Sequence, residues 1–132
     1  MIHVGRVLNP EFAKAMIKLT TQPLPIKEAY RLTATIDKVN EEIDKFRDAR
    51  QALVVELAEK DERGEPKVEG QSYVFGEKQA EFNSRLQGLL DHEFEVQPFT
   101  VDLFPNLQIT VEEATLLRPI LSQENQYKEA PK

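Results

Sequence analysis

Between Lys27 and Lys60 apolar residues recur at alternating steps of three and four: Ala29, Leu32, Ile36, Val39, Ile43 and Phe46, then Leu53 and Leu57. That spacing holds one edge of an α-helix apolar over roughly four heptads, the pattern of coiled-coil-like packing. Arg50 stands where the stripe expects one more apolar side chain. At 1.5 Å per residue, some 35 residues make a rod of about 50 Å. Pro25 can open this helix. From Leu53 onward the apolar surface widens to Val54, Val55 and Ala58, so the C-terminal half is expected to be buried on more than one side.

The shorter elements announce themselves by their boundaries. Ile2, Val4 and Val7 suggest a short N-terminal strand over Ile2 to Leu8. Asn9 as cap, Pro10 at the first helical position and Glu11 in the first turn then start a helix carrying Phe12, Met16 and Leu19. Pro23 and Pro25 end it. Lys60 to Pro66 is a solvated turn, and Lys67 to Phe75 reads as a strand closed by Gly76. A second amphipathic helix over Glu77 to Glu93 presents Phe82, Leu86, Leu89 and Leu90. Phe94 to Phe104 alternates as a strand whose frame shifts at Pro98, the mark of an edge or a bulge. Thr110 and Glu113 form a capping box for a last helix from Val111 to about Leu121, bent near Pro119.

This order predicts an α+β, helix-dominated fold: one long helix, two or three shorter helices, and a small antiparallel sheet of two or three strands. Residues 1–122 read as a single domain and 123–132 as a polar C-terminal tail. The long helix poses the central question, which is what shelters its seam. The shorter helices together are about as long as the rod and can cover it from within. Alternatively the seam meets another protein or a second copy. Glu42 and Arg47 then fall at the g and e positions expected to pair across a parallel coil. The candidate interaction surface is Ile36, Val39, Ile43, Phe46, Arg47 and Arg50.

Composition narrows the classes of partner. The 132 residues carry a formal charge of −6 with a pI near 5.0, which argues against binding nucleic acid phosphates or anionic membranes. Mean hydropathy is −0.49, and apolar runs are too short to span a bilayer. There are no cysteines, so disulfides, thiolate metal sites and cysteine nucleophiles do not arise. The N-terminal residues do not form a signal peptide, and a cytosolic start is expected.

Candidate chemistry is sparse. The two histidines are His3 and His92, and only Asp91-His92-Glu93 places imidazole beside carboxylates. Neighbours on a helix point about 100° apart, so these three do not converge on one ion unless His3 comes across. Glu41, Glu42 and Asp44 read as the wet face of the long helix, with Glu41 and Lys45 paired at i, i+4. Arg50 reads as a snorkelling side chain, or else as half of a buried or interfacial ion pair. No nucleophile elbow, phosphate-binding glycine loop or metalloprotease motif is present. The expectation is a protein without catalytic residues, metal or cofactor.

The segments "LPIKEAYRL", "IDKFRDARQALV" and "EFNSRLQGLLDHEFEV", with a Gly-containing turn between the last two, resemble a family of small tailed-bacteriophage proteins across roughly residues 20 to 122. The resemblance implies a phage origin and transfers no site residue, because the family carries no assigned reaction. It favours two roles, a virion or assembly component or a small effector acting on a host protein. Together with the long seamed helix and the lack of site chemistry, it leads to the expectation of a non-enzymatic structural or assembly protein acting through protein–protein contacts. The alternative is an inhibitor that binds a host protein, and an enzyme of unknown type stands third. The implied location is the host cytoplasm, with the virion as a further destination.

Overall fold

The computed structural model describes residues 1–122; the tail expected over 123–132 lies outside the described residues. The elements follow as β1 (Ile2–His3), α1 (Val4–Val7), α2 (Pro10–Thr20), α3 (Ile26–Leu57), β2 (Val68–Glu69), β3 (Ser72–Tyr73), α4 (Gln79–Leu90), β4 (Glu93–Phe94), β5 (Phe99–Thr100), α5 (Val111–Leu117) and β6 (Leu121–Ser122). Short 3-10 turns precede α4 and follow β5. The fold is helix-dominated around one long helix, as the apolar spacing requires.

Helix ends obey local chemistry. The Asn9 side chain accepts from the Glu11 amide at 2.9 Å, and Pro10 occupies the first turn of α2. Thr110 and Glu113 close a reciprocal capping box on α5, at 3.1 and 2.9 Å. Beyond α3, the Lys60 ammonium reaches back to the Val55 carbonyl, one of the acceptors a helix end leaves over.

Strands are shorter than the sequence suggests. The N-terminal segment is a two-residue strand that turns at Val4 into α1, because Ile2 and His3 pair with Phe94 and Glu93 while Val4 and Val7 turn inward. Lys67 to Phe75 is a hairpin, not one strand. Gly70, at φ 63°, and Gln71 form a two-residue loop between Glu69 and Ser72, and a positive φ confined to the first loop residue marks a type II′ turn. Phe94 to Phe104 divides into β4 and β5 around Pro98. The helix expected to continue to Leu121 stops at Leu117, and a turn through Pro119 leads into β6. Strands β1·β4 and β2·β3 are antiparallel, whereas β5·β6 is parallel, closed by the Phe99 amide on the Ile120 carbonyl at 2.6 Å.

Two apolar clusters lie along α3. The larger gathers α1, α2, the half of α3 from Leu32 to Phe46, and the C-terminal elements, around the fully buried Phe12, Leu19, Phe99 and Leu117. Arg31 ties α3 to it, with its guanidinium 4.2 Å from the Phe99 ring centre and donating to the Pro98 carbonyl at 2.9 Å. The smaller gathers Leu53, Val54, Leu57 and Ala58 with Phe75 and Phe82, whose rings stack at 4.0 Å.

Candidate functional site

The structure divides the six seam residues. Val39 is buried, and Ile36, Ile43 and Phe46 are partly buried against the larger cluster. Arg47 and Arg50 are exposed; Arg47 lies 3.7 Å from Asp44, and Arg50 has no ion pair among the described residues. The apolar four are therefore engaged by their own chain, and the two arginines face water. Arg50 falls at the gap between the clusters, just past Phe46 and just before Leu53, so the interruption in the stripe coincides with the place where neither cluster covers the helix.

Glu42 departs from its reading as wet surface: it is only 3% exposed. Its position, three residues past Val39 and four before Phe46, puts it on the inward arc. Its carboxylate is met by the Lys38 ammonium at 3.1 Å, Lys45 at 3.3 Å and the His92 Nε2 at 3.5 Å. Burial pushes the carboxyl up, but the hydrogen bonds and charges of Lys38 and Lys45 outweigh it and hold the group below its ordinary 4.5. Glu41 does pair with Lys45, at 3.0 Å. Because Glu42 is committed here, it is not free for the Arg47 pairing of a parallel coil. The signal for this cluster was available: a glutamate on the buried arc with lysines at i−4 and i+3.

The N-terminus does bring His3 to the Asp91-His92-Glu93 corner. His3 lies opposite Glu93 across β1·β4 and its Nδ1 donates to the Asp91 carbonyl at 3.0 Å, while the Val4 amide donates to the His92 carbonyl at 2.9 Å. The two imidazoles thus turn to different partners. Among the described residues no three histidine or carboxylate side chains form a group fit to hold a metal ion.

Among the described residues one concave feature is a groove of about 260 Å³ between α3 and α4, lined by Ala49, Ala52, Leu53, Leu89, Glu56 and Arg85. Arg85 grips Glu56 at 2.7 and 3.4 Å, which keeps the Glu56 carboxyl below its usual range through that hydrogen bond and charge. Neither His92 nor Arg50 lines the groove. Outside it, α3 exposes Ile26, Tyr30 and Val55 at 72%, 70% and 52%, together with an acidic row, Asp37, Glu41, Asp44 and Asp48, at steps of four, three and four. No helix among the described residues is long and apolar enough to cross a membrane. No family model, curated protein or solved structure matches the chain.

Proposed function

We propose that this chain is a non-enzymatic structural or assembly protein of a tailed-phage particle, working through protein–protein contacts on the outer face of α3. The observation that carries the reading is the helix itself. It runs 32 residues, its inner edge is sheltered by its own chain, it borders an open groove against α4, and on a separate stripe it exposes Ile26, Tyr30 and Val55. A rod anchored at two clusters holds such a face rigid, which lowers the ordering cost of binding. The phage assignment rests on the resemblance of residues 20 to 122. Mass spectrometry of purified particles and assembly intermediates tests it: the chain is expected at stoichiometric copy number, and its absence from both removes the proposal.

The acidic row of α3 favours a second reading, a host-directed inhibitor seated on a basic surface of a bacterial protein. Glu41 and Asp44 on this face are paired with Lys45 and Arg47, and Asp37 and Asp48 beside them are the charges that steer association with a basic target and make it salt-sensitive. A pull-down from host lysate at low salt is expected to return one stoichiometric partner that high salt releases; recovery of none counts against it.

A further inference from the structure

The groove between α3 and α4 is matched by the helix that forms half of it. Along the outward face from Lys45 to Glu56, the residues at steps of four, three and four are Lys45, Ala49, Ala52 and Glu56. Read in reverse, the series keeps its small centre and exchanges its charged ends. Two copies laid antiparallel therefore place Lys45 opposite the partner's Glu56, and Ala49 opposite the partner's Ala52, twice over. This is the self-complementarity that a two-fold interface requires. We propose that this groove is where a second copy of the chain docks, α3 against α3 in antiparallel register, with the two alanine layers at the centre.

The chemistry at each position supports that occupant. Alanines at the crossing let the helix axes approach to about 8 Å, the close end of the usual range. Leu53 and Leu89 form an apolar floor beneath them. Lys45 spends two of its three donors on Glu41 and Glu42 and keeps one for the partner. Glu56 is held in place by Arg85 and retains lone pairs for a second cation. A parallel arrangement would instead set Lys45 against the partner's Lys45 and Glu56 against the partner's Glu56, which like charges oppose. The inference rests on the protein-contact reading above and names one partner for it.

The absence of cysteine makes the register directly readable. Ala49→Cys and Ala52→Cys are prepared as two separate single-thiol proteins and oxidised mildly, alone and mixed. The antiparallel register predicts that the mixture forms a covalent dimer several-fold faster than either protein alone, since thiols must come within the short Cβ separation a disulfide needs. Faster linkage in either unmixed sample overturns the register. In parallel, light scattering of the wild-type chain to about 1 mM is expected to show dimer, and Ala52→Arg, with an unchanged circular dichroism spectrum, to show monomer. A wild-type monomer throughout that range overturns self-docking. The wider reading fails separately, through the particle analysis, which does not depend on this pairing.

Discussion

The two clusters along α3 are built in opposite ways. The smaller is local: it uses the end of the long helix, the hairpin and the antiparallel α4, so its contacts arise between residues 53 and 89. The larger joins residues near both ends of the described chain, Ile2 and Phe12 with Leu117 and Ile120, and needs the middle of α3 as its spine. A local cluster closes short loops and loses little chain entropy in forming, whereas the larger one orders most of the chain before its contacts accumulate. One helix passes through both, and the gap at Arg50 separates them. The difference suggests two parts of unequal cooperativity on a common rod.

Truncating one buried ring in each cluster is the sharpest way to break that contrast. Phe12→Ala is expected to cost about 3–5 kcal/mol, as for other buried phenylalanines, and to lower protection from hydrogen exchange everywhere. Phe82→Ala, which removes half of the stacked pair, is expected to expose amides of β2, β3 and α4 while those of α2 and α5 keep their protection. Equal loss of protection across the molecule in both variants would show that the clusters unfold as one unit.

Asp48→Pro attacks the bridge. It removes the helical amide bond between the clusters and sets the ring against the preceding turn, at a cost of about 3 kcal/mol or more. Thermal unfolding monitored by circular dichroism is expected to separate into two transitions. A single unshifted transition would mean that the rod is not continuous through residue 48, and the whole account of α3 would fall with it.

How much of this was legible follows the same local and distant divide. The rod, the Asn9-Pro10 helix start and the Thr110-Glu113 capping box were readable because each depends on neighbours within a turn or two. The strand pairs were not: β1 exists because His3 meets Glu93, and β5 runs parallel to β6 only because α5 returns the chain past Phe99. At Lys67 to Phe75 the β-forming side chains were right, but Gly70 converts one expected strand into a hairpin. In the candidate site the apolar seam is legible, and cover by the shorter helices of the same chain is one of the two readings it allows, the one the larger cluster follows. Periodicity states which edge is apolar and leaves open what covers it. For Glu42 residue type points to water, whereas its position on the inward arc points to burial, and position prevails.

Glu42 gives the third test, one in which the sign of a pH effect is fixed. Its carboxyl is held below 4.5 in the folded chain, so its contribution is fully present above the unfolded value and is lost as pH falls through the folded one. Glu42→Gln is expected to lower stability by about 1–2 kcal/mol at neutral pH, the scale of hydrogen bonds to a charged group. The gap to wild type should close as the solution is acidified below 4.5, because the wild-type side chain then becomes neutral too. Denaturant melts at stepped pH measure this, and a gap that stays constant into acid would assign the effect to packing instead of charge.

The smallest expected effect concerns how α5 is fastened to the larger cluster. Thr110→Ala removes the hydroxyl that accepts from the Glu113 amide and is expected to cost about 1 kcal/mol, typical of a lost cap. Glu113 does more than close the box. Its carboxylate also takes the Lys18 ammonium at 2.7 Å from α2, and the Lys18 hydrogen bond, followed by the Thr110 amide, holds its carboxyl below 4.5. Thr110→Ala leaves that bridge standing, whereas Glu113→Ala removes the cap and the α2·α5 link together. The second loss should therefore exceed the first, and Lys18→Ala in the Glu113→Ala background should add almost nothing. Full additivity of Lys18→Ala and Glu113→Ala in a double-mutant cycle would show the pair to be uncoupled, leaving apolar packing around Leu19 and Leu117 as what holds the two helices.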